Sequence, residues 1–104
     1  MHPTYLCHPY SNNPDENLYW ARKLTHKLFA EGWLVYSPVT SALALKREEN
    51  YSQLLIEDLH WMTIIQHVTL FKLPGWEESK GVSVELAWAR AFAMPVREIE
   101  QLAA

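Results

Sequence analysis

Apolar positions along the chain fall into two alternating patterns. Short apolar runs bounded by turn formers occur at Thr4–Cys7, Trp33–Tyr36 and His67–Leu73, and a fourth opens at Met94-Pro95-Val96. Their length and their Pro or Gly boundaries predict buried strands. Between them, apolar residues repeat at helical spacing. Trp20, Leu24 and Leu28, with Ala21 and Phe29, predict a helix over about 16–31. Asp15 is its expected N-cap, and Gly32 ends it. Leu55, Leu59 and Met62 predict a second long helix over about 51–65, and a third is expected over about 82–93, after Ser79 and Gly81. Residues 39–50 read as a polar linker with a weak helical pattern, and the last few residues as a tail.

The resulting order is βαβ(α)αβαβ. Strands separated by helices imply parallel pairing, so the expected fold is α/β, a three-layer flavodoxin- or Rossmann-like sandwich with a four- to five-stranded parallel sheet. All 104 residues fit one domain. In such sheets ligands bind beyond the carboxyl ends of the strands, at the point where strand order reverses. Those ends carry three loops: His8–Asn13, Ser37–Thr40 and Pro74–Gly81.

Composition narrows the function classes. Hydrophobic residues make up 49% and charged residues 20%, as in a globular protein. Five Trp and five Tyr supply both core bulk and stacking faces for a planar ligand. The formal charge is -3, and no Lys/Arg block stands out, which argues against a nucleic-acid binder. No apolar run reaches the roughly 18–20 residues of a membrane span. No basic segment leads into an apolar stretch at the start, and the single Cys7 fits a reducing cytoplasm. No Cys/His spacing resembles zinc ligation, and neither a metal nor a cofactor is expected.

The segment from Leu73 to Ala91 is the richest in chemistry. A strand runs into a Gly-containing loop, and a helix then starts at a small residue, where outward-facing amides attract an anion. Ser79 adds a hydroxyl donor, and Gly81 permits close approach of a ligand to the backbone. Glu85 lies about one turn into the helix, where the helix field favours the ionised carboxylate by roughly 0.3–1 kcal/mol. A carboxylate facing a cleft is what attack on a sugar carbon requires. From local pattern alone, a solvated Glu and an ordinary Ser N-cap are the commoner readings. Asp58, next to the apolar Leu59, is a candidate proton donor if partly desolvated; a surface Asp is the commoner case. Tyr5 reads as core packing, or as a phenol aimed at a carboxylate. His8, His60 and His67 lack partners at ligand spacing, and each reads as structural or loop-exposed. Cys7 reads as a small buried apolar residue.

Several segments together resemble the nucleoside 2-deoxyribosyltransferase-like superfamily. These are Tyr5-Leu6-Cys7-His8-Pro9-Tyr10-Ser11, Gly32–Pro38, Asp58-Leu59-His60-Trp61, and Gly75-Trp76-Glu77-Glu78-Ser79-Lys80-Gly81 followed by Glu85 and Ala89. The resemblance covers nearly the whole chain and is closest to small members carrying a Gly-Trp-x-x-Ser-x-Gly pattern. It implies a doubly wound parallel sheet and either base exchange on deoxynucleosides or hydrolysis of the N-glycosidic bond of nucleoside 5'-monophosphates. It casts Glu85 as the nucleophile, Tyr5 as the group that orients it, and Asp58 as the contact to sugar or base that assists proton transfer. Ser79 and Gly81 would bind the 5' end of the ligand. His8, Ser11 and Asn12 would complete the substrate contacts, with Asn13 as a further neutral donor.

The same resemblance chooses between branches. The transferases carry an Asp six residues before the catalytic Glu, and the nucleotide hydrolases a Ser; here that residue is Ser79. A neutral donor tolerates phosphate where Asp would repel it, so a nucleoside 5'-monophosphate is favoured over a free nucleoside. The first loop lacks the Arg typical of the hydrolases, and Gln66 stands where relatives usually have an Asp. Trp33, Trp61 or Trp76 would stack on the base, with Trp76 best placed. A retaining mechanism through a glycosyl-enzyme follows by analogy. The alternatives are a binding module that senses or sequesters a nucleotide, and an enzyme acting on a larger adenine nucleotide such as NAD. Relatives are generally dimers or larger, so a homo-oligomer is expected.

Overall fold

In a computed structural model, residues 1–100 are described; the expected tail lies outside them. Four strands, β1 (His2–Cys7), β2 (Trp33–Tyr36), β3 (Val68–Lys72) and β4 (Val96–Glu100), form one sheet in the order β2-β1-β3-β4, with every pair parallel. Helices α1 (Pro14–Ala30), α2 (Pro38–Ala44), α3 (Tyr51–Ile65) and α4 (Lys80–Ala91) flank it. The fold is the expected α/β three-layer sandwich, with four strands in the sheet. No helix among the described residues is long and apolar enough to cross a membrane.

Strand alternation sorts the core into two halves. Leu6 of β1 and Phe71 of β3 turn to α1, where they meet Ala21, Leu24 and Leu28. Tyr5, Cys7, Val68 and Leu70 turn the other way and meet Met62 of α3 and Val82, Leu86 and Ala89 of α4. Both central strands are buried on both faces, as parallel strands are. Even the buried threonines on β1 and β3 satisfy each other: Thr4 Oγ1 lies 2.7 Å from Thr69 Oγ1 and 2.8 Å from His67 Nδ1.

Several element boundaries differ from the sequence reading. α1 begins at Pro14, whose fixed φ suits a first helical position, so Asp15 lies within the first turn and is not the N-cap. Asn13 occupies the cap position, but its side chain donates to Glu16 Oε2 at 2.7 Å. The weak helical pattern of the expected linker is α2, which begins one residue before it at Pro38 and is capped by Ser37, whose Oγ accepts the Thr40 amide. α3 opens on a capping box formed by Asn50 and Gln53. Gln66 ends α3 with positive φ, a C-terminal stop reached without Gly. α4 starts at Lys80, two residues earlier than expected, because Ser79 accepts the Val82 amide and caps it.

The switch point lies between β1 and β3, and two asparagines tie its loops together. Asn17, buried in α1, donates to the Tyr10 carbonyl at 3.0 Å and to Asn12 Oδ1 at 2.9 Å. Asn12 Nδ2 in turn donates to the Pro74 carbonyl at 3.0 Å. Gly75 has φ +88, and a Cβ there would lie 2.4 Å from Asn12 Nδ2. Gly75→Ala therefore combines backbone strain with loss of this tie. Gly32 has φ +97 and open space around it, so Gly32→Ala incurs only the strain, about 1 kcal/mol. Thermal melts should show Gly75→Ala as clearly the less stable of the two; equal melting points would contradict the Asn12 tie.

Candidate active site

One cavity of about 640 Å³ opens at the carboxyl ends of β1 and β2, walled by α2, α3 and the start of α4. Of the sequence candidates, Glu85, Asp58, His8, Ser11, Asn12, Ser79 and Gly81 line it. Tyr5 lies directly beneath, fully buried. Trp76 is not in the lining. It packs on the core between sheet and α4, with Lys72 Nζ 5.5 Å from its ring centre. Trp33 and Trp61 do not line the cavity either: Trp33 stands at the far end of β2 against His67, and Trp61 stacks on Tyr36. The aromatic rings that do reach the cavity are Tyr10, Tyr36 and Tyr51. Asn13 is absent from the lining, its amide being taken by Glu16.

Glu85 projects from the buried face of α4 and is only 7% exposed. Tyr5 Oη donates to its Oε2, and the Cys7 thiol to its Oε1 at 3.5 Å. The two donors sit two residues apart on β1, so alternation aims both at the same helix. Burial pushes the Glu85 carboxyl up to about 7. The Tyr5 hydroxyl and the Cys7 thiol pull the other way, and the nearby Asp58 charge adds to the rise. The helix field alone favours ionisation, but desolvation outweighs it at this depth. Burial, then the Glu85 and Asp58 charges, drive the Tyr5 phenol far above its ordinary range, so it is a committed donor. Cys7 is likewise held as a thiol, by burial and then by Glu85.

Asp58 faces the same space from α3, half-buried. Desolvation raises its carboxyl to about 6, the Glu57 charge adds to the rise, and the Tyr5 hydroxyl and Arg47 offset part of it. Two carboxyl groups thus titrate close to neutrality over one buried phenol. Glu57 itself turns to Arg47, which grips it with Nη2 at 2.6 Å and Nη1 at 3.3 Å and holds Glu49 through Nε at 2.8 Å. This pair fixes the segment between α2 and α3 against the cavity rim.

His8 is 6% exposed. Its Nδ1–H donates to the Pro9 carbonyl at 2.7 Å, which fixes the tautomer, and burial lowers its pKa. Nε2 is buried without a partner among the described residues. Asn12 lines the wall, with its Oδ1 and one amide proton committed to Asn17 and Pro74. Ser11 is exposed at the mouth. Cys7, Tyr51, Arg47 and Asn17 were not singled out by sequence as site residues. The spacing of Tyr51 and Asp58, seven residues apart on one helix, was the signal available for Tyr51. Among the described residues, no group of three or more His, Cys, Asp or Glu is placed to hold a metal ion.

Residues 2–98 match a protein family described as a domain of unknown function, DUF4406. No curated protein matches the sequence.

Because the folded Glu85 carboxyl ionises near 7 rather than near 4.5, its contribution to stability is fully present below about 4.5 and is lost as pH rises through 7. Glu85→Gln removes this titration. The melting temperature of that variant relative to the parent should therefore climb between pH 4.5 and pH 8, by the equivalent of a few kcal/mol. A difference constant with pH would show that Glu85 is not desolvated in this way.

Proposed function

The chain belongs to the DUF4406 family, and from the cavity it builds we propose that it cleaves or exchanges the N-glycosidic bond of a nucleoside 5'-monophosphate, with Glu85 as nucleophile. One observation carries this reading. A buried carboxylate lies on the cavity wall with each oxygen addressed by a donor from β1, and a second, half-buried carboxyl shares the space. The resemblance to the nucleoside 2-deoxyribosyltransferase-like superfamily rests on these same residues.

In this mechanism the Tyr5 hydroxyl and the Cys7 thiol hold the Glu85 carboxylate in one rotamer. The carboxylate attacks the anomeric carbon as the bond to the base nitrogen breaks, giving a glycosyl-enzyme. Protonated Asp58 hands its proton to the departing base. Water, or the N–H of a second base, then displaces Glu85 and gives its proton to the now ionised Asp58. The apolar wall of Tyr36, Val39, Ala42, Leu54 and Leu55 offers the base a flat, dry face. Ser79 and the first amides of α4 face the 5' end, with no carboxylate at position 79 to repel a phosphate.

A binding role without turnover is the second reading. It is favoured by the burial of Glu85, whose carboxyl, raised to about 7, is largely protonated below that pH and is then no nucleophile. A cytoplasmic location accords with Cys7 as a buried free thiol. The expected partner, a second copy of the chain, would meet the apolar side chains that α3 exposes, Ile56, Trp61 and Ile64.

Incubation with each ribo- and deoxyribonucleoside 5'-monophosphate should release free base, detected by chromatography, and Glu85→Gln should cut the rate by on the order of 10³-fold or more. Base release from none of them, with nucleosides plus acceptor bases also inert, would leave only the binding role. The rate should peak between about pH 6 and 7; Asp58 ionises before Glu85, so the productive form, Glu85 ionised with Asp58 protonated, is the minor one of the two singly ionised forms. Asp58→Asn removes the proton donor, so it should lower the rate and abolish the fall on the alkaline side. Sedimentation velocity should show a species larger than one chain, dissociated by Ile64→Glu; a monomer in the parent protein would refute the α3 contact.

A further inference from the structure

Tyr51 stands at the first turn of α3 and Asp58 two turns later, so both look into the cavity from one helix face. The Tyr51 hydroxyl crosses to the start of α4. A Cβ built on Gly81 would lie 2.9 Å from Tyr51 Oη, 3.9 Å from its Cζ and 4.0 Å from Ser79 Oγ. The bare backbone of Gly81 therefore makes room for a phenol tip, and two hydroxyls converge beside it. Ser79 Oγ accepts the Val82 amide and keeps its own proton to donate. The amides of Lys80 and Gly81 precede the first bond within the helix. Tyr51 is 60% exposed as a residue. Its partial burial and then the Glu85 and Asp58 charges hold its phenol protonated. Four donors thus gather at the start of α4, with the Lys80 ammonium next in sequence; Glu78, Glu57, Asp58 and Glu85 are the acidic groups lining the same cavity.

We propose that Tyr51 is a specificity residue of this cavity, its hydroxyl donating a hydrogen bond to the phosphate of a nucleoside 5'-monophosphate bound at the start of α4. This rests on the reading that the cavity takes a nucleotide, and it adds the side chain that separates nucleotide from nucleoside. It also gives Gly81 a specific role. Alanine there pushes the Tyr51 hydroxyl aside. With phenylalanine at position 51, the nearest ring carbon sits at ordinary contact distance and the same alanine fits.

Isothermal titration of the full chain with the four deoxynucleoside 5'-monophosphates, the matching nucleosides and inorganic phosphate tests this, with circular dichroism checking each variant's fold. Tyr51→Phe should weaken binding of the monophosphates, and of inorganic phosphate, about tenfold, and leave the nucleosides unchanged. Gly81→Ala should reproduce that loss alone and add almost nothing in the Tyr51→Phe background. Equal loss for nucleoside and nucleotide would make Tyr51 a packing residue and overturn the proposal. So would full additivity of the two substitutions, or a wild-type chain that binds none of the phosphate compounds. Phosphate binding that depends on Tyr51, in a protein that releases no base, would uphold this inference while the glycosidic reading fails.

Discussion

The hydrogen bond from Tyr5 to Glu85 joins the central strand of the sheet to α4 inside the protein. A carboxylate this deep is costly to ionise unless donors meet it. Tyr5 and Cys7 meet it from below, and the cavity lies on its other side. The pair needs β1 at the middle of the sheet with its odd residues turned to α4, and parallel alternation supplies that. Were the register of β1 shifted by one residue, Leu6 would face Glu85 and the carboxylate would have no donor.

The loops around this bond are held mainly by polar side chains. Asn17 and Asn12 connect the loop after β1 to that after β3, and Arg47 connects the α2–α3 segment to Glu57. Each tie replaces hydrogen bonds that irregular backbone cannot make for itself. The site is thus a set of braced loops over a packed sheet, so its donors are in position before any ligand arrives.

Much of this was legible in the sequence, for physical reasons that also explain the failures. The strands showed because a sheet buried on both faces demands unbroken apolar runs, as at Thr4–Cys7. Ser79 showed because a capping hydroxyl stands next to the helix it stops. α2 shows in the sequence only as a weak helical pattern within a polar linker, because seven residues give too few turns for a firm period. Asp15 was misassigned because a carboxylate in a first turn and one at a cap look alike along the chain; Pro14 decided the matter. Trp76 was placed in the cavity because it sits in the right loop, yet its ring turns to the core. Pairings such as Tyr51 over Gly81, thirty residues apart in sequence, exist only once α3 lies beside α4.

The two halves of the core share strands but no side chains. Both donors to Glu85, Tyr5 and Cys7, belong to the α3–α4 half; Leu24, Leu28 and Phe71 belong to the other. Substitutions under α1 can accumulate and trade volume among themselves while the polarity of the cavity stays as it is. Global stability and local chemistry can therefore drift apart over evolutionary time, one layer adjusting to temperature and the other to ligand.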